Sequence, residues 1–342
     1  MKIALISTPL LTCPPRRYGG LEQIVYDLGV EIIKLGNKVV LFAPKGSHLE
    51  SGFVCETGVA PEKVEVDWLK LEIDAYKKYC SVLQDFDIGQ GHNWFGCEYL
   101  YKSEHTNAHV CHTHHGGLLW RTKPPNVDKM NLIAISDWMR RVYESQGWTS
   151  KVVYNGIDLE KYPYKQDKGD RLLFVGRISK LKRPDVAIEV VKQVNMKLDI
   201  VGGTFVEDQN YVQNIRQLCE SNNFGFYPDA SPEKKIELMQ NAKCLLFPSN
   251  MGEPFGLVPV EAMSVGTPVV AWDDGAVKEI IKNDSTGFVV PKTVENMVEV
   301  IKKIESIKPI NCRRLVEQNF TRKIMAEKYL SMYNNILSGS EW

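Results

Sequence analysis

No stretch of the 342-residue sequence approaches the roughly 20 consecutive apolar residues needed to span a bilayer, so a membrane-crossing helix is not expected. Net charge is missing too: 42 Lys and Arg stand against 42 Asp and Glu. Without a bulk positive field, nucleic acid is not an expected partner, while a local basic patch and peripheral membrane contact stay open. The eight cysteines, at 13, 55, 80, 97, 111, 219, 244 and 312, form no CxxC pair. Several lie in apolar runs such as "AKCLLFPS", which points to buried thiols in a reducing compartment rather than a disulfide scaffold. HExxH is absent, as is a GxGxxG followed by an acid about 20 residues on, so neither a zinc-hydrolase signature nor an NAD-dependent oxidoreductase signature is present. There are no low-complexity tracts or short repeats. The opening "MKIALISTPLL" is too short for a signal peptide's apolar core plus cleavage site and reads as a first strand. The expected location is cytoplasmic.

What remains is a chain of ordinary globular composition, 44% hydrophobic and 25% charged. Its length suits about two domains. Short apolar runs at 2–8, 38–44, 86–92, 109–115, 132–136 and 151–156 alternate with amphipathic stretches. "LEQIVYDLGVEIIKLG" (21–36) has helical spacing and a glycine stop. The second half repeats the theme, with strands expected at 171–176, 197–203, 242–249, 267–273 and 286–290. Continuous apolar strands separated by helices imply α/β class and parallel sheets covered on both faces. The polar stretch "LEKYPYKQDKGD" (159–170) reads as a linker between two doubly wound, Rossmann-like domains, 1–158 and 159–318, with an amphipathic C-terminal helix in 319–342. Ligands of such sheets bind beyond the carboxyl ends of the strands, so two facing sheets would form one cleft.

Three stretches carry candidate chemistry. In "FVGRISKLKRPD" a strand ends at Gly176, and Arg177, Lys180, Lys182 and Arg183 follow, placed to meet an anion. In "EPFGLVPVEAMSVGTPVVA", Glu253 lies on a loop before a Phe-Gly turn and Glu261 near the start of a helix. Free N–H groups at a helix start suit a phosphate, and carboxylates beside them can accept from sugar or ribose hydroxyls; helix capping explains an acid there equally well. In "RRYGGLEQ", Gly19 and Gly20 permit positive φ and close approach of backbone to a ligand. "HVCHTHHGG" holds four of the seven histidines, His109, His112, His114 and His115. His112 and His114 share a strand face, His115 points the other way, and no metal set is expected. One histidine at the strand's end suits a binding cleft, and the others read as ordinary strand or edge residues.

The combination of "EPFGLVPVEA" with "FVGRISKLK", "YNGID" and "RYGGLE" resembles the retaining, nucleotide-sugar-dependent glycosyltransferases of the GT-B fold, family-4 type, over essentially the whole chain. The resemblance implies a role for each matching residue. Glu253, the first acid of E-x7-E, contacts hydroxyls of the donor sugar. Phe255, Gly256 and Leu257 lend backbone N–H groups. Glu261 holds the ribose hydroxyls, and Arg177 and Lys182 of GR-x4-K grip the diphosphate. Gly19 and Gly20 approach the phosphates from the other domain. His115, with His114 as the one-residue alternative, lies near the sugar. The catalytic set is then His115, Arg177, Lys182 and Glu253, with no metal and no cofactor beyond the nucleoside-diphosphate sugar.

The acceptor is a hydroxyl of unknown identity. Trp94, Trp120 and Arg121 are candidates to line its pocket. Where relatives carry a glycine near the base, this chain has Tyr227-Pro228. Two alternatives remain: a GT-B-fold nucleotide-sugar epimerase, which would need carboxylates such as Glu98 or Glu104, and a non-catalytic nucleotide-sugar-binding module. A glycogen-type phosphorylase needs a pyridoxal-binding lysine and is far longer, so it is not expected.

Overall fold

Strand and helix alternate from Lys2 onward in the computed structural model, which describes residues 1–16, 19–61, 66–116, 126–204 and 208–342. The chain divides into one unit of Met1–Gly156 with Arg322–Trp342 and a second of Ile157–Thr321. These boundaries lie beside the expected 158/159 and 318/319.

The first unit contains β1 (Lys2–Ile6), α1 (Gly20–Lys34), β2 (Lys38–Ala43), β3 (Phe53–Glu56), α2 (Trp68–Tyr79), β4 (Ile88–Gly91), α3 (Glu98–Glu104), β5 (Val110–His114), β6 (Leu132–Ala134), α4 (Asp137–Ser145) and β7 (Ser150–Val152). Its strands run parallel in the order β3-β2-β1-β4-β5-β6-β7. The central β1, β4 and β5 are buried on both faces, as continuous apolar strands between helices must be. Phe42, Tyr79, Leu83 and Tyr101 close the core against β1. Helix starts follow side-chain chemistry: the Asp67 carboxylate accepts the Lys70 N–H, and the Ser136 hydroxyl accepts that of Met139.

The second unit contains β8 (Leu172–Val175), α5 (Pro184–Gln193), β9 (Leu198–Gly202), α6 (Gln209–Ser221), β10 (Gly225–Pro228), α7 (Pro232–Asn241), β11 (Cys244–Phe247), α8 (Leu257–Ser264), β12 (Val269–Trp272), α9 (Val277–Ile280), β13 (Gly287–Val290), α10 (Val294–Ile301) and α11 (Pro309–Asn319). The sheet is again parallel, ordered β10-β9-β8-β11-β12-β13. The chain then returns to the first unit as α12 (Arg322–Leu337), which packs on α1, with Arg322 Nε 3.0 Å from Glu31 Oε2. Tyr329 and Tyr333 of α12 are buried, their hydroxyls bonded to Thr113 and Gln90.

Three expectations are corrected. The periodicity predicts no strand at 53–56 or 225–228, yet both exist, each at a sheet edge. Phe53 is exposed and Pro228 has no N–H to donate, features an edge strand tolerates and a central one does not. The C-terminal helix begins at Arg322, since α11 runs to Asn319 and Phe320, packed on Phe255 with ring centroids 5.8 Å apart, lies between the two helices. Finally, 159–170 is not a loose tether. Lys165 N–H donates to the Val265 carbonyl, and Lys168 Nζ donates to the Gln240 and Val265 carbonyls, so the segment is laid along the second unit.

Candidate active site

Arg177 and Lys182 sit on the loop leaving the carboxyl end of β8, and Glu253 on the loop leaving β11, the neighbouring strand. Adjacent parallel strands bring the two loops together. Lys182 Nζ lies 2.5 Å from Glu253 Oε2, both side chains nearly enclosed, and the Ser249 hydroxyl donates to the same oxygen at 3.1 Å. The Lys182 ammonium also lies over the Phe247 ring. Arg177 is half-buried at the start of its loop. On the other flank of β8, the ends of β8 and β9 approach closely: a Cβ on Gly202, at the end of β9, would stand 1.9 Å from the Gly176 carbonyl oxygen.

The backbone carrying Glu253 is clamped by residues the motif does not contain. One carboxylate oxygen of Asp274 accepts the N–H groups of Met251, Gly252 and Glu253 at 3.0, 2.8 and 3.1 Å. Its other oxygen pairs with Lys292 at 2.5 Å. Ala276 N–H donates to the Glu253 carbonyl, and a Cβ on Gly275 would stand 2.2 Å from that oxygen.

Phe255 is buried and its ring is structural, packed on Phe320. Gly256 caps α8 at a φ of 110°, the left-handed region where a side chain is strained. Leu257 opens the helix, whose first N–H groups have no intrahelical acceptor. Glu261, one turn in, accepts from the Tyr162 hydroxyl at 2.7 Å and takes Lys235 Nζ on both oxygens at 2.9 Å. The sequence reading named neither Tyr162 nor Lys235. Tyr162 comes from the stretch read as linker, and Lys235 from α7.

In the first unit, Gly19 and Gly20 lie between β1 and α1. Gly19 is extended, with φ 168°, so the expected need for positive φ is replaced by a need for space. A Cβ there would meet Pro15 Cβ at 2.6 Å and Glu22 Oε2 at 2.9 Å. Glu22 is buried with Thr8 donating to it, and burial raises its pKa.

His115 follows the end of β5, half-buried, its Nε2 2.9 Å from Nδ1 of the fully buried His92 at the end of β4. Because β4 lies beside β5, the two chain ends place these rings together, centroids 5.2 Å apart. Burial holds His92 well below the usual histidine range. Burial, then the nearby His112, push His115 down to about 3. Both stay neutral near pH 7.

His112 and His114 do share a face, Nε2 to Nδ1 3.4 Å, but they are not edge residues. They are fully buried, and His112 Nδ1 lies 2.5 Å from Glu98, which Asn93 also bonds. Glu98 is thus enclosed, and Glu104 is exposed at the end of α3. Glu72 accepts the N–H groups of Trp94 and Phe95, and burial lifts it to about 7. The Trp94 ring meets His114 edge-on. Gly117, Trp120 and Arg121 lie outside the described residues. Among the described residues, no three His, Cys, Asp or Glu side chains converge as metal ligands, and no helix is long and apolar enough to cross a membrane.

Two family descriptions match consecutive parts of the chain: "Glycosyltransferase Family 4" over residues 18–161 and "Glycosyl transferases group 1" over 159–322. Spore coat protein SA of Bacillus subtilis is 24% identical, over 97% of this chain and 99% of its own length. O-antigen chain mannosyltransferase C of Escherichia coli is 23% identical, over 94% and 96%. A solved glycosyltransferase of avilamycin A biosynthesis superposes with a TM-score of 0.76 at 21% identity, covering 100% of this chain and 99% of the other. Anabaena HepE, solved with UDP-glucose, does so with 0.74 at 17%, covering 98% and 100%.

Proposed function

Since the chain belongs to the glycosyltransferases of the GT-B fold, family-4 type, we propose that it is a retaining enzyme moving a hexosyl unit from a nucleoside-diphosphate sugar to a hydroxyl acceptor. The observation that carries this reading is the Lys182–Glu253 pair with Arg177 on the same loop as the lysine. A phosphate-type cation and a sugar-type carboxylate are held at the carboxyl ends of adjacent strands, where α/β sheets bind ligands. The HepE complex with UDP-glucose supports a nucleotide-sugar donor.

In this reading Lys182 and Arg177 take the diphosphate, and the start of α8 adds its N–H groups. As Lys182 turns to the phosphates, Glu253 is released to accept from sugar hydroxyls. The bond from the anomeric carbon to the leaving phosphate oxygen breaks while the acceptor oxygen bonds the same face. The acceptor's proton passes to the departing phosphate oxygen. Cationic side chains aimed at charge that develops on the leaving group supply the main stabilisation, and no metal is invoked.

The test is incubation of the purified protein with UDP-, GDP- and ADP-hexoses in the presence of EDTA, following nucleotide release and the anomeric proton coupling of the product. Release with the donor's anomeric configuration retained is expected. An inverted product, or activity that needs added Mg²⁺ or Mn²⁺, contradicts the proposal. A C2 epimer formed without an acceptor would instead establish the epimerase.

A further inference from the structure

Glu261 is held by two side chains from separate elements of the second unit. Oε1 accepts from Tyr162 Oη at 2.7 Å and from Lys235 Nζ at 2.9 Å, and Oε2 accepts from the same ammonium at 2.9 Å. An ionised carboxylate offers about four acceptor positions. The two donors occupy three of these, so one on Oε2 remains for a ligand.

The partners come from separate parts of the second unit, and each is itself held. The Tyr162 carbonyl accepts from Arg313 at 2.8 Å, and Arg313 also bonds the Ser264 carbonyl at the end of α8. Lys235 extends from the first turn of α7, which Ser231 caps by accepting the Lys234 N–H, and its ammonium lies 6.0 Å from the Tyr162 ring centroid. Lys235 and Tyr162 therefore converge on the one carboxylate of Glu261.

A free glutamate side chain loses rotamer freedom when it is fixed. Here most of that loss has been met in folding, before a ligand arrives. We propose that Lys235 and Tyr162 are positioning residues that fix the Glu261 carboxylate for a ribose hydroxyl and so make the protein select ribonucleotides over deoxyribonucleotides. This rests on the reading of Glu261 as the ribose contact. The segment 159–170 is then a wall of the nucleotide site, not only a connection.

The discriminating quantity is a ratio. Loss of general shape weakens a ribonucleotide and its deoxy analogue alike, whereas loss of hydroxyl recognition weakens only the former. UDP, GDP and ADP are titrated calorimetrically into the full-length protein, and the tightest is compared with its 2′,3′-dideoxy counterpart. Wild type is expected to prefer the ribonucleotide by roughly tenfold or more, the scale of one charge-assisted hydrogen bond. Glu261→Gln should bring the ratio close to one, Lys235→Met should remove most of it, and Tyr162→Phe should reduce it several-fold. In each case the dideoxy affinity should hold within about twofold, which also certifies the fold.

If Glu261→Gln leaves the ratio intact, the ribose assignment itself fails. If Glu261→Gln abolishes it while Lys235→Met and Tyr162→Phe keep or increase it, the positioning proposal fails and the ribose assignment stands. A Lys235→Arg variant, able to restore both contacts, should recover most of the ratio; its failure to do so would also count against positioning.

Discussion

Glu253 shows how far a single residue was legible. Its place in E-x7-E is visible in the sequence, but its partners Lys182 and Ser249 are joined to it only by the fold. Lys235, Tyr162 and His92 were not legible, because each acts through a contact with an element distant in sequence and none belongs to a spacing pattern. The His92–His115 pair yields a pH prediction. Both rings have pKa values held below the roughly 6.5 of an unfolded histidine, His115 at about 3. Between those values the unfolded chain binds protons that the folded chain refuses. The stability they contribute is fully present above about pH 6.5 and is lost as pH falls toward 3. Urea midpoints at pH 7.5 and 5.0 should therefore drop more for wild type than for His115→Gln. An equal drop in both would show that these rings titrate normally in the folded protein.

Elements carry the site through their ends. The strand order places β8 beside β11, and the loops after them meet; the sequence showed the strands but not which were neighbours. Central strands were readable because burial on both faces demands unbroken apolar runs. The edge strands β3 and β10 were not, since one flank faces no partner and the pattern relaxes. The β11–α8 loop depends on Asp274, which accepts three of its N–H groups and is itself buried. Asp274→Ala leaves those donors without their acceptor, at a cost of about 1.5–3 kcal/mol for bonds to a charged group. Unfolding of the second unit should shift down by several degrees, and transfer activity should fall about tenfold or more. Gly275→Ala should act the same way, because its Cβ meets the Glu253 carbonyl and its φ is +59°. Calorimetric scans and turnover of both variants check this. Wild-type activity in Asp274→Ala would mean that the loop is held by other means.

At the scale of the molecule, each unit builds its own parallel sheet around its own core, and α12 completes the first unit while Arg177, Lys182, Glu253 and Glu261 all belong to the second. Two doubly wound units were legible from alternation, and the GT-B fold and family only through the resemblance carried by the motifs. The sugar, the base and the acceptor were not, because the segments around Tyr227 and 117–125 follow no decodable pattern. In the proposed reading Lys182 holds the diphosphate and Glu253 the sugar. Calorimetric titration of wild type and Glu253→Gln with a nucleoside diphosphate and its hexose conjugate tests it directly. Wild type should bind the nucleotide sugar more tightly than the parent diphosphate. In Glu253→Gln that gain should vanish, while the diphosphate alone binds as well or better, because Lys182 no longer has to leave an ion pair. A Glu253→Gln protein that keeps the gain for the sugar, or that loses the diphosphate, would overturn these two roles.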